Sequence, residues 1–282
     1  MRTLRRVLRK PVGSFAFAVL VLVALVSVAS FFWLPQDPNH ATGNVWLSPS
    51  SDHWLGTDGS GRDIASRLIA GSRVSFGVAL GTGALASLIG FVLALLGGLG
   101  KRPVREVVAV GIDVLVAFPT TLLAIMLTAV FGSGIPIVIA ALGIAFGVSM
   151  GRVLRAEFRQ VSGADFVVAA QVAGLSRMRV LFRHIIPSVL PVYIVQVTWT
   201  MGTAVLAEAS LSYLGFGAPK DVPSWGGMLA TTQRFVSIYP ETVVWPGLAI
   251  TITVLAFFLF GDQLRDALDT RDPVDETAEV AR

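Results

Sequence analysis

Charged residues in this chain fall in clusters, and the clusters are separated by uncharged stretches long enough to cross a bilayer. After Arg2, Arg5, Arg6, Arg9 and Lys10 comes an uncharged run over residues 14–34. A second run, 74–100, ends on Lys101, Arg102 and Arg105. A third holds no charge over the 38 residues 114–151, which is too long for one crossing. Gly132, Ser133 and Gly134, followed by Pro136, interrupt it and predict two helices joined by a tight turn. A fifth helix is expected from Pro187 to about 214, and a sixth over 242–261, between Glu241 and Asp262. About 20 apolar residues cross roughly 30 Å of hydrocarbon. The pattern therefore predicts an all-α, polytopic membrane protein with six transmembrane helices.

Composition agrees: 54% of the 282 residues are hydrophobic and 14% charged, against about a quarter charged in soluble domains. The absence of cysteine excludes a disulfide framework or a thiolate metal site. The net charge of +4 sits at the ends of the apolar runs, which points to a lipid bilayer and not to nucleic acid. Val26, Ser27, Val28, Ala29 and Ser30, ahead of Phe31, resemble a weak signal-peptide cleavage site. The first apolar run, however, has 21 residues, more than the roughly 7–15 of a signal core, so an uncleaved first helix is expected. Six spans put both termini on one side. With that side cytoplasmic, 17 of the 22 Lys and Arg residues lie inside, leaving Arg62, Arg67, Arg73, Lys220 and Arg234 outside. The positive-inside rule thus predicts cytoplasmic termini in the cell inner membrane.

Several positions invite chemistry. Gly77, Gly81, Gly83, Gly90, Gly97 and Gly98 crowd the second run, as close helix packing or as hinge and pore-lining sites. The cytoplasmic loop 152–184 is too long for a mere connection. Within it Phe166, Ala169, Ala170 and Ala173 recur at helical spacing, and Gly174 ends or bends that helix. Such a helix could insert in a partner's groove or lie on lipid headgroups. Outside, 55–73 reads as an interfacial helix leading into span two, capped by Asp58, Ser60 or Asp63. The Asp58 and Asp63 spacing does not fit an EF-hand. Glu208 is the one ionisable residue well inside span five. It reads either as a structural residue near the outer interface, with an ion-pair partner, or as an outer gate. Asp113 is expected to pair with Arg102 or Arg105, and Pro119 to kink its helix. Segment 217–240, with Trp225 and Tyr239, reads as an interfacial anchor or as a contact for a partner outside. After Asp262 the tail is mostly acidic and reads as a solvated end.

The stretch Ala169-Ala170-(three residues)-Gly174, followed by Ile185, Ile186 and Pro187, resembles the cytoplasmic EAA loop of ABC-importer permeases. Further blocks resemble the C-type permease of the dipeptide/oligopeptide/nickel family. They are His53 to Asp63, Asp113 to Pro119, Phe182 to Pro187, Ala207 to Gly215, Pro223 to Gly226, and Gly261 to Asp269, in order along most of the chain. One departure stands out: Val168 occupies the first position of the triad, where the family usually has glutamate.

The resemblance implies a type I ABC-importer permease bundle with a cytoplasmic EAA coupling helix. Residues 1–71 would be the N-terminal segment, first helix and outer loop, 72–262 the permease core, and 263–282 a cytoplasmic tail. It implies a second homologous permease, one or two cytoplasmic ATPase subunits and an extracytoplasmic substrate-binding protein. Coupling to the ATPases falls to Val168, Ala169, Ala170, Gly174, Ile185 and Pro187, and Glu208 is a candidate outer gate. A P-loop needs Gly-x4-Gly-Lys-Ser/Thr, and the only Gly-Lys pair here, Gly100-Lys101, is followed by Arg102. ATP and Mg would be bound by the partner ATPases, so the chain is a transport subunit and not an enzyme. Di- or oligopeptides lead as cargo, with nickel complexes, haem and related solutes open. An ion-coupled secondary transporter is the alternative, although it would normally need more spans and internal charged relays. An intramembrane enzyme fits worse, because His40, His53 and His184 all lie outside the spans.

Overall fold

The computed structural model describes residues 2–268. Among them the only strand-like feature is an isolated antiparallel bridge between Thr57 and Asp63; the rest is helix and connecting loop. The helices are α1 (Arg2–Arg9), α2 (Pro11–Ala29), α3 (Ile64–Leu99), α4 (Arg102–Val116), α5 (Thr120–Phe131), α6 (Ile135–Ser162), α7 (Asp165–Val172), α8 (Arg177–Val180), α9 (Ile186–Tyr213), α10 (Trp225–Thr232) and α11 (Glu241–Leu268). Five of them, α2, α3, α6, α9 with the turn before it, and α11, are long and apolar enough to cross a membrane. The pair α4–α5 makes a sixth crossing if taken as one broken span.

Three boundaries differ from the charge pattern. Helix α3 starts at Ile64, where the Asp63 carboxylate accepts the Ser66 N–H at 2.7 Å. The expected interfacial helix and span two are therefore one continuous element. Its cations do not stop it because each has a local partner. The Arg67 guanidinium donates to the Pro38 carbonyl at 3.0 Å, beside Asp58. Arg73 donates to the Ser30 hydroxyl at 2.7 Å and to the Ser30 carbonyl, and its guanidinium lies 4.5 Å from the centre of the Phe31 ring. It thereby binds the carbonyl end of α2, where a cation is favoured. Helix α6 runs past Gly151 to Ser162, so Arg152, Arg155 and Arg159 lie on its last turns. Asp113 pairs with Arg152 at 2.9 Å, a partner on another helix and not Arg102 or Arg105. Helix α11 likewise continues past Gly261 to Leu268. The acidic tail anticipated beyond it, 269–282, lies outside the described residues.

The kink expected at Pro119 is a full break: α4 and α5 meet at 82°. Proline lacks the N–H and bars the preceding residue from helical geometry, so α5 starts afresh at Thr120. The turn predicted at 132–134 is also present, with Gly132 at φ +91, in the left-handed region.

The centre of the bundle is the α3–α6 seam. Gly143, Gly147 and Gly151 present a small face every four residues, and α3 side chains fill it. A Cβ on Gly143 would stand 2.6 Å from Leu85, on Gly147 2.8 Å from Ile89, and on Gly151 2.9 Å from Leu93. In return Gly90 and Gly98 of α3 receive Met150 and Phe158. Small residues let backbones approach where no hydrophobic force drives helices together. The glycines at 81, 83, 90, 97 and 98 are therefore packing positions, whereas Gly77 has open space around it.

Candidate functional site

The segment between α6 and α9 is built to stand at the surface while rooted in the bundle. The Gly163 N–H bonds the carbonyls of Arg159 and Gln160 and closes α6. Ala164 is extended, and α7 begins at Asp165. Two side chains of α7 turn inward: Val167 is fully buried and Ala170 is 8% exposed. They join Phe158, Val161, Val180, Ile185 and Val189 in one cluster. Phe166, Val168, Ala169, Val172 and Ala173 face out, Val172 at 83% exposure.

The end of α7 depends on Gly174, at φ +81. Its N–H bonds the Gln171 carbonyl at 3.0 Å, and the Leu175 N–H bonds the Ala170 carbonyl at 3.2 Å. This is a Schellman closure, with Leu175 packed against the cluster that holds Ala170. Space is not the constraint, since nothing lies within 4 Å of a Cβ built there. The backbone conformation is. The Ser176 hydroxyl then accepts the Arg179 N–H and starts the single turn of α8. A π-helical turn, Leu181–Ile185, leads directly into α9. Such turns are rare and concentrate at functional positions.

The outward surface is consequently apolar at its centre, with Phe166, Val168, Val172, Met178 and Phe182. It is basic at its rim, where Arg159, Arg177, Arg179 and Arg183 are exposed. Of the residues read from the sequence, Val168, Ala169 and Gly174 are on the surface, whereas Ala170 and Ile185 support it from below. Pro187 is exposed and lines a cleft of about 870 Å³ together with Phe166, Glu157, Gln196 and Arg265. Sequence reasoning missed Val167, the main anchor. It also gave no surface role to Met178 and Phe182, because the single turn of α8 and the π-helical turn after it decide which of the residues between Arg177 and His184 the bundle covers.

At the other end of α9, Glu208 is 1% exposed and not at an open interface. No Lys or Arg pairs with it among the described residues. Its partners are hydroxyls: Ser212 donates at 2.6 Å, and Ser75 of α3 donates at 3.4 Å. The Ser212 hydroxyl also accepts the Ala218 N–H at 2.9 Å, fixing the turn that leaves α9. The four-residue spacing of Glu208 and Ser212 was a signal in the sequence; Ser75 was not. Beyond the turn the Trp225 indole N–H donates to the Leu68 carbonyl at 2.9 Å. Gly226 lies so close to the Ala209 carbonyl that no side chain fits. Helix α10 is thus wedged between α3, α9 and α11, and Glu208 bridges α9 to α3 next to the Ala209 turn on which α10 rests. The loop before α3 closes over this end, with Trp46 stacked on Tyr239 at 4.3 Å between ring centres.

Comparison with known proteins places these features in context. A family model described as "Binding-protein-dependent transport system inner membrane component" matches residues 86–271. The dipeptide transport system permease protein DppC of Alkalihalophilus pseudofirmus is 35% identical over 256 residues, covering 90% of this chain and 84% of that protein. The nickel transport system permease protein NikC of Escherichia coli K12 is 35% identical over 255 residues, covering 90% and 92%. A glutathione transport system permease protein, GsiD of Escherichia coli O6:K15:H31, is 37% identical over 277 residues, covering 95% and 89%. Among solved structures, an inward-facing MetNI methionine ABC transporter chain superposes with a TM-score of 0.60 at 17% identity, covering 71% of this chain and 95% of that one. That likeness bears on the fold alone.

Proposed function

Because the chain belongs to the family of binding-protein-dependent transport system inner membrane components, we propose that the 165–177 loop, continued by Ile185 and Pro187, is the element through which partner ATPases drive it. It is a permease subunit of an ABC importer, a multi-pass membrane protein and not itself an enzyme. The reading beyond this is ours. One observation carries it: a short helix anchored by Val167 and Ala170 turns an apolar face with a basic rim outward, between the ends of two long membrane helices. A face of this kind suits insertion in a groove on a partner. Val168, Ala169 and Gly174 form or shape the contact, Ala170 and Ile185 hold it against the bundle, and Pro187 stands in the first turn of α9 beside the cleft.

ATP and Mg are held by the partners, one or two ATPase subunits. Closure of their dimer moves the segment and shifts the bundle between two packings of similar energy. A second, similar permease completes the pathway, and a binding protein delivers solute on the outer side. Both termini lie in the cytoplasm, as the distribution of Lys and Arg supports. Relatives named for dipeptides, glutathione and nickel support a small peptide or metal-complex cargo, with di- or oligopeptides first. Glu208, with Ser75 and Ser212, serves as the outer gate that keeps α9 and α3 together until solute is delivered.

Val172→Asp tests the coupling reading, because Val172 is exposed and its replacement leaves the buried anchor intact. The variant is expected to insert normally but to lose its ATPase subunits when the assembly is purified in mild detergent. Undiminished copurification and transport would overturn it.

A further inference from the structure

The first ten residues hold five Lys and Arg, and no acidic residue occurs before Asp37. Placed on a helix at about 100° per residue, Leu4, Val7 and Leu8 fall within one arc of roughly 100°, and Arg5, Arg6 and Arg9 fall outside it. The structure uses this division. Val7 is fully buried, Leu4 and Leu8 are 42% and 38% exposed, and Arg5, Arg6 and Arg9 are exposed without an ion-pair partner among the described residues.

Nor does α1 simply extend α2. Lys10 is extended, at φ −88 and ψ 133, and Pro11 starts a new helix. Gly13 then approaches the Val7 carbonyl so closely that a Cβ would collide with the backbone. This contact folds α1 against the base of α2 and against α11. The Lys10 ammonium meets Asp266 of α11 at 2.9 Å, and Phe17 lies against Phe260 at 6.0 Å between ring centres. Along the chain the next exposed apolar side chains are Val12 and Phe15 of α2.

We propose that α1 is an interfacial helix that binds anionic phospholipid headgroups through Arg5, Arg6 and Arg9. Leu4 and Leu8 rest on the acyl boundary, while Val7 packs against Gly13 of α2 and Lys10 ties this end to α11. The partner is fixed by chemistry: three exposed guanidiniums beside exposed leucines, at the foot of a membrane-spanning helix, match a surface that is anionic above and apolar below. A purely aqueous acidic partner would leave Leu4 and Leu8 without a role. The proposal does not depend on the coupling reading.

The chain has no cysteine, so single-cysteine labelling reports on α1 directly. The full-length chain in its purified assembly is labelled with a nitroxide at Leu8→Cys or at Arg6→Cys. It is then placed in nanodiscs of phosphatidylcholine, with or without phosphatidylglycerol, and accessibility to oxygen and to a water-soluble relaxant is measured. The label at position 8 is expected to lie at the acyl boundary and the label at 6 in water, both more firmly with phosphatidylglycerol. Arg5→Gln with Arg9→Gln should weaken the preference for phosphatidylglycerol by about fivefold per residue. Arg→Lys at the same positions should preserve most of it. Gly13→Val should release the helix with its charges intact. Three results overturn the proposal: a label at 8 that is water-accessible in both membranes, a response that follows removal of residues 269–282 and not the lipid, and protection that requires the ATPase subunits and not phosphatidylglycerol.

Discussion

Replacing glycine with alanine at positions 77 and 147 is the same chemical change in two transmembrane helices, and the structure predicts different outcomes. In each helix the methyl group restores helix propensity, a gain of about 1 kcal/mol. At Gly77 nothing lies within 4 Å of the new atom. At Gly147 the new Cβ stands 2.8 Å from Ile89 Cβ, 2.9 Å from its Cγ2 and 3.2 Å from Ala86 Cα. Two of these atoms cannot rotate away, so α3 and α6 must separate by about 1 Å to reach ordinary carbon–carbon distances. Overpacking of this kind costs about 1–3 kcal/mol. The propensity gain is common to both variants and cancels in their difference. Gly147→Ala should therefore unfold about 1–3 kcal/mol more readily than Gly77→Ala. Equilibrium denaturation of the full-length chain in mixed micelles, under identical conditions, gives that difference. Adding Ile89→Ala removes Cγ2 and should restore part of it, which a double-mutant cycle isolates. Equal stability of Gly77→Ala and Gly147→Ala, or no coupling to Ile89, would refute the seam as drawn.

Gly174→Asp should insert normally yet lose transport-coupled ATPase activity, because an L-residue at φ +81 costs about 1–2 kcal/mol and reshapes the end of α7; coupled turnover in proteoliposomes decides it. Glu208→Ala strands the hydroxyls of Ser75 and Ser212 and should destabilise the outer end by about 1–3 kcal/mol. Glu208→Gln, whose amide oxygen can still accept the Ser212 bond while its NH2 donates to the Ser75 hydroxyl, should lose much less, and detergent thermal stability compares the two. Trp225→Phe removes the bond to the Leu68 carbonyl and should cost about 1 kcal/mol in the same assay. Asp113→Asn breaks a pair whose side chains are 46% and 59% exposed, so its effect on stability should stay below about 1 kcal/mol.

The architecture was legible wherever charge and proline mark a boundary. Five of the six crossings, the turn at Gly132 and the break before Thr120 followed from such marks, whereas the third crossing, expected from 114, is divided between α4 and α5. What escaped depended on distant partners. Arg67 and Arg73 look like the edge of a span until Asp58, Pro38 and Ser30 are seen to hold them inside a continuous helix. Glu208 looked interfacial from its distance along α9, but α3, which brings Ser75 to it, and α10, packed by Gly226 against the adjacent Ala209, enclose this end of the helix. In α7, Val167 and Val168 are adjacent and chemically identical, yet one is fully buried and the other 48% exposed. Periodicity finds the helix, but only its neighbours decide which face they cover.

The seam between α3 and α6 has a mechanical consequence. Helix α6 has 28 residues, about 42 Å of rod, and it is interlocked with α3 by glycine at successive turns. Two members meshed so closely cannot slide or bend independently, so they behave as one stiff arm. The segment 163–185 is attached at the C-terminal end of α6 and at the N-terminal end of α9. At the far end α9 is fastened to α3 through Glu208 and Ser75. A displacement of the end that carries 163–185 is thus resisted by a fulcrum close to the opposite end of α9, and the lever can yield chiefly where its two limbs are not interlocked, around the cleft lined by Pro187, Pro191 and Gln196.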